Sequence, residues 1–88
     1  VKSRKVLVVN RLGLHARAAV KLVQAANRYE SHITISTDDM CAAAKSILGV
    51  LTLAAGQGTK LVIGTEGPDE DEAMEEIHTL IADGFGEE

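Results

Sequence analysis

Apolar and polar positions along this chain follow two different periods, and the switches between them divide it into strands and helices. Lys5-Val-Leu-Val-Val9 is β-branched and apolar and predicts a first strand. Asn10-Arg-Leu-Gly13 interrupts it, with Gly13 supplying turn freedom. From Ala16 to about Arg28 the spacing becomes helical, and Ala19, Val20, Val23 and Ala26 fall on one face. His32 to Ser36 alternates, with Ile33 and Ile35 on the buried side. Asp38-Asp39 marks a turn, and Met40 to Ala43 predicts a short return strand. A second helix begins at Ser46 and carries Ile47, Leu48, Val50, Leu51 and Leu53 before Gly56-Gln-Gly58 stops it. Lys60 to Ile63 is a fourth strand, broken by Gly67-Pro68. The last helix opens with Asp69, Glu70, Asp71 and Glu72, where carboxylates favour the helix dipole. Ala73, Met74, Ile77, Leu80 and Ile81 form its apolar stripe, and Gly84 marks its end.

The order is β-α-β-β-α-β-α. Each element has one apolar face, so the stable arrangement is an α+β open-faced sandwich. It pairs a four-stranded antiparallel sheet with three helices on one side. Residues 1–88 read as a single domain, without repeat or linker.

Composition narrows the core. Tyr29 and Phe85 are the only aromatic residues, so Val, Leu, Ile, Met and Ala must fill it. Cys41 is the only cysteine; it forms no internal disulfide and is expected as a small buried hydrophobe. No apolar run is long enough to span a bilayer and no secretory signal pattern opens the chain, which points to the cytoplasm and to no membrane insertion.

Charge adds direction. Lys2, Arg4, Lys5, Arg11, Arg17, Lys21 and Arg28 precede every acidic residue, and the 13 carboxylates all lie from Glu30 onward. A basic front and an acidic tail imply one face suited to anionic partners. Nucleic acid fits poorly, because the net charge is −4 and the basic stretch holds no stacking aromatics. His32, His78 and Cys41 lack metal-ligand spacing, so no metal or other cofactor is expected. Gly56 to Lys60 precedes a strand and lacks phosphate-loop spacing, so it reads as a turn.

The candidate chemistry lies at Gly13-Leu-His-Ala-Arg17, where the first strand hands over to the first helix. A helix start carries partnerless N–H groups and a partial positive charge, which together suit a phosphate. The same field disfavours imidazolium and keeps a lone pair on His15 available. Arg17 adds a permanent charge and a planar donor fork. Ser46, ahead of an apolar run, is a natural N-cap.

Gly13 to Arg17 resembles the active-site signature of HPr, the histidine-containing phosphocarrier of the bacterial phosphotransferase system. Ala44-Lys-Ser-Ile-Leu-Gly-Val-Leu51 resembles the second HPr motif, around a regulatory serine, and Asp69 to Ala73 resembles the start of the last HPr helix. The resemblance covers essentially the whole chain. It implies that His15 takes a phosphoryl group on Nδ1 from phosphoenolpyruvate-charged enzyme I and passes it to IIA domains of sugar permeases. Arg17 is then the phosphate-stabilising residue. Such a chain is a transferase component without independent turnover, and a monomer. Ser46 becomes the target of HPr kinase/phosphorylase, with a transcriptional regulator as a further partner. Leu14, Ala18, Ile47, Leu48 and Leu51 become the docking residues. The family usually has proline immediately after the arginine, where this chain has Ala18. Alanine is an excellent helix former, so the departure bears on the rigidity of the loop and leaves the helix start in place. Two alternatives are a regulatory paralogue serving nitrogen or carbon signalling and a non-catalytic binding module of the same fold.

Overall fold

The structure is a computed structural model, which describes residues 1–86. Glu87 and Glu88, counted above with the acidic tail, lie outside the described residues. The elements are β1 (Lys2–Leu7), α1 (Ala16–Ala26), β2 (His32–Ser36), β3 (Cys41–Ala43), α2 (Ile47–Thr52), β4 (Lys60–Glu66) and α3 (Glu70–Ala82), followed by a short 3-10 turn at Gly84–Gly86. The four strands form one antiparallel sheet in the order β1-β4-β2-β3. All three helices cover one face, the open-faced sandwich expected from the element order.

The register explains which side chains go inside. β4 is central: Lys2 to Leu7 pair with Thr65 to Lys60, and His32 to Ser36 pair with Glu66 to Val62. Because strand side chains alternate, Val6, Leu61, Ile63, Ile33 and Ile35 all reach the helix side and are buried. Lys5, Val62, Ser36 and Cys41 lie in one row across the opposite face. Cys41 is therefore exposed, contrary to its expected burial: it stands on the outer side of a three-residue edge strand.

Helix α1 buries Ala18, Ala19, Leu22, Ala25 and Ala26. Its apolar stripe is rotated from the one expected: Leu22 takes the centre, Val23 is half-buried, and Val20 is exposed. Alanines on this stripe let α1 pack closely against α2 and α3, which a sequence reading weighted toward valine overlooks. Ala18 is fully buried and Leu14 nearly so, so neither presents its side chain to a docking partner. On α3, Ala73, Met74, Ile77 and Ile81 are buried and Leu80 is half-buried. Phe85, absent from the expected core, is buried among them at φ 60°.

Much of the basic front is folded back onto the acidic tail. Lys2 pairs with Asp71 at 3.3 Å, Arg4 with Glu75 at 3.3 Å and Arg28 with Glu76 at 2.7 Å. Exposed pairs of this kind contribute up to about 1 kcal/mol each. They orient α3 against β1 and the end of α1 more than they stabilise it.

Asp69 has a different role from the one its position predicts. It occupies the N-cap of α3 but makes no side-chain cap bond. Its carboxylate accepts instead from the Ser31 hydroxyl, the Glu30 N–H and the Ser31 N–H, and so fastens the α1–β2 turn to the start of α3. These donors, the Ser31 hydroxyl first, hold its carboxyl below the usual carboxylate range. A depressed folded value contributes stability above the unfolded value, and that contribution is lost as pH falls through the folded one. Asp69→Asn offers one acceptor oxygen and turns its NH2 group toward a donor. The expected result is lower stability at neutral pH and a shallower loss of stability in acid, read from urea midpoints between pH 7 and pH 2. Equal acid slopes for the two proteins would refute the assignment.

Candidate functional site

His15 is the N-cap of α1, with extended backbone (φ −74°, ψ 177°). Its Nδ1 accepts the N–H of Arg17 at 3.2 Å. The first rung of the helix ladder runs from Ala19 N–H to the His15 carbonyl at 2.8 Å, so the amides of Ala16, Arg17 and Ala18 precede the ladder and cluster at the helix mouth. An accepting Nδ1 puts the proton of a neutral ring on Nε2. The cap thus selects the tautomer whose lone pair sits on Nδ1, aimed at the positive end of the helix. His15 is half-buried, and Arg17 beside it is exposed.

The loop before His15 is held from several sides. Gly13 lies at φ 64°, and a Cβ there would stand 2.4 Å from the Ala55 carbonyl oxygen, so only glycine fits. The Gly13 N–H donates to the Asn10 carbonyl at 3.1 Å, and the Leu14 N–H donates to the Ala55 carbonyl at 2.8 Å. Asn10 is completely buried, and its Nδ2 donates to the Gly13 carbonyl at 2.9 Å. Sequence reasoning took Asn10 as a plain turn residue. Only its burial, to which the turn at Gly84 contributes, distinguishes it.

Ser46 caps α2, its Oγ accepting the Gly49 N–H at 3.1 Å, and it is exposed. On α2, Leu48 is 74% exposed and Ile47 is also exposed, while Leu51 is half-buried and Val50 points into the core. Of the five expected docking residues, Ile47 and Leu48 are therefore the accessible ones and Leu51 is partly so. Leu12, in the loop leading to His15, is exposed as well, and the sequence pattern gave no reason to single it out. Among the described residues, no group of three or more His, Cys, Asp or Glu side chains is placed to hold a metal ion, and no helix is long and apolar enough to cross a membrane.

The sequence model of the family described as the PTS HPr component phosphorylation site matches residues 2–83. The chain belongs to the HPr family. It is 48% identical to the phosphocarrier protein HPr of Cupriavidus necator over 84 residues, 96% of this chain and 94% of that one. It is 46% identical to the HPr of Treponema pallidum over 85 residues, 97% of each chain. A crystal structure of HPr from Thermoanaerobacter tengcongensis superposes with a TM-score of 0.95 at 39% identity, covering 100% of this chain and 99% of the other. Crh, the catabolite repression protein of Bacillus subtilis, matches at a TM-score of 0.77 and 37% identity over 96% of this chain and 95% of its own; its crystal form is described as a swapped, intertwined dimer. His15, Arg17 and Ser46 thus sit on an HPr fold that extends over the whole matched length.

Proposed function

We propose that His15 accepts a phosphoryl group on Nδ1 from phosphoenolpyruvate-charged enzyme I and delivers it to the IIA domains of sugar permeases. One observation carries this reading: the Nδ1 lone pair lies at the N-terminal mouth of α1, within hydrogen-bond reach of the Arg17 amide. In the transfer, Nδ1 supplies the electron pair of the new N–P bond as the donor's bond to phosphorus breaks. The ring proton stays on Nε2. The Arg17 N–H exchanges its nitrogen acceptor for a phosphoryl oxygen, and the guanidinium of Arg17 neutralises charge on the equatorial oxygens. Phosphoryl transfer of this kind depends on positioning and electrostatics, and this chain supplies both without a cofactor of its own.

The protein acts as a cytoplasmic monomer, and Ile47 and Leu48 give the apolar part of its docking surface. Incubation with enzyme I and phosphoenolpyruvate should add one phosphoryl group by intact mass, stable in base and released in acid. An unchanged mass, or an acid-stable adduct, would overturn the proposal and favour a binding module of the same fold.

Ser46 is the regulatory site in this reading. Phosphate at a helix N-terminus is electrostatically tolerated, so its effect falls on partners and not on the fold. It places two negative charges beside Ile47 and Leu48, weakens docking to enzyme I and creates a surface for a transcriptional regulator. The modifying enzyme is HPr kinase/phosphorylase. Ser46→Asp retains an N-cap acceptor. It should raise the KM for phosphorylation by enzyme I about tenfold, corresponding to roughly 1.4 kcal/mol of lost association. Identical kinetics would reduce Ser46 to a cap. The likeness to Crh favours a second reading, a carrier whose phosphate serves nitrogen or carbon signalling. Deleting the gene separates the two, since only the first predicts impaired sugar uptake.

A further inference from the structure

We infer that Asn10 is a positioning residue for phosphoryl transfer: it fixes the Gly13–Leu14 peptide and, through it, the place of the His15 imidazole at the mouth of α1. The inference rests on the phosphocarrier reading of His15.

A tight turn between Asn10 and Gly13 needs only the Gly13 N–H to Asn10 carbonyl bond, which is present at 3.1 Å. The asparagine side chain adds a second connection, from Nδ2 to the Gly13 carbonyl at 2.9 Å. That carbonyl and the Leu14 N–H belong to one peptide plane, and the Leu14 N–H is held by the Ala55 carbonyl at 2.8 Å. The plane directly before Leu14 is therefore clasped on both edges. It cannot rotate without giving up both bonds. Leu14 is buried, so the chain from this plane to His15 has no slack.

Burying an amide side chain is costly unless it is satisfied, and a surface turn has no need of one. Asn10 is nonetheless wholly buried. The turn after α3 backs onto it, since a methyl group at Gly84 would stand 3.4 Å from Asn10 Cβ. The asparagine is wedged between the end of the described chain and the loop that aims the histidine. No helix or strand requires it there; the peptide before Leu14 does.

The test compares wild type, Asn10→Ala and Ile77→Val in transfer from phosphoenolpyruvate-charged enzyme I. Ile77→Val is a stability control in α3, remote from the loop, with an expected loss of about 0.5–1.5 kcal/mol. Misplacing a reacting group by about 1 Å costs roughly a hundredfold in rate. Asn10→Ala is expected to lower kcat by about ten- to a hundredfold while KM stays within about threefold, because the docking residues on α2 are untouched. Its NMR spectrum should show the Arg17 amide shifted as the bond to Nδ1 loosens. Ile77→Val should match wild type in kcat. If Asn10→Ala does not fold, Asn10→Ser gives the same comparison, since its shorter hydroxyl falls short of the Gly13 carbonyl. Wild-type kcat in the Asn10 variants, a change confined to KM, or an equal loss in Ile77→Val would each overturn the positioning role. Wild type that takes up no phosphoryl group at all would instead overturn the reading of His15, and this inference with it.

Discussion

His15→Ala will take up no phosphoryl group from charged enzyme I, and the protein will remain folded. Both halves follow from the cap. The imidazole is half-buried at a helix start, where its Nδ1 accepts the Arg17 N–H as the helix cap. Removing an N-cap side chain costs about 0.5–2 kcal/mol, which an intact core of this size withstands. Removing the nucleophile leaves only amide and guanidinium nitrogens at the helix mouth, which have no lone pair to give. His15→Ser separates the two effects, because a hydroxyl restores the cap acceptor without giving a phosphoramidate. It should recover the lost stability and still yield no acid-labile adduct. Arg17→Ala belongs on the same scale. A charge-assisted hydrogen bond is worth about 1.5–3 kcal/mol, and the exposure of Arg17 favours the lower end, so transfer should slow roughly tenfold. Acid-labile phosphate on His15→Ala, measured by intact mass, would remove the basis of the assignment.

Phe85→Ala should be among the most destabilising single truncations in the molecule. Phe85 is the largest fully buried side chain, 1% exposed, and its backbone lies in the left-handed region between two glycines that share it. Alanine keeps the same backbone cost, so the substitution isolates the ring. Phe→Ala in a core costs about 3–5 kcal/mol. A domain of 88 residues has roughly 4–13 kcal/mol in total, so the variant should sit near its unfolding midpoint under mild conditions. Urea unfolding measures this directly. A loss below about 1 kcal/mol would show that the ring fills little of the core. The Lys21 ammonium donates to the Phe85 carbonyl at 2.7 Å, a bond the substitution preserves, so the turn itself should persist.

Phe85 also shows where sequence reading stops. The element order, the four strands and the helix starts were legible, because each rests on periodicity or on a cap within a few residues. Strand ends were less so: β4 runs on to Glu66 through Gly64, which looks like a terminator but pairs with Ser3 and Thr34 in the sheet centre. Phenylalanine between two glycines reads as a loop, and only the packing of α3 on the sheet turns it inward. The buried stripe of α1 was misplaced because alanine carries little hydrophobic weight in a pattern, yet close packing of α1 against α2 and α3 selects it. At the site, His15, Arg17 and Ser46 were legible from motif and cap position. Ala18 and Leu14 were expected at the surface and are buried, because neighbours in sequence to a half-buried histidine need not share its exposure. Asn10 was invisible as more than a turn residue, since the turn at Gly84 that backs onto it and the Ala55 carbonyl that holds the same peptide plane lie far along the chain.

The strand order has a consequence for how the protein is made. Of the four strands, β1 leaves the ribosome first, and it has no partner until β4 follows it some fifty to sixty residues later, as the pairing of Leu7 with Lys60 and of Lys2 with Thr65 requires. Closing so long a loop is slow, and no contact rewards it in advance. Asn10 waits on Gly84, and the core waits on Phe85. A nascent chain therefore carries His15 early but completes the surroundings of its helix mouth only when the turn at Gly84–Gly86 has emerged; on the phosphocarrier reading proposed above, partly synthesised chains would then take up no phosphoryl group.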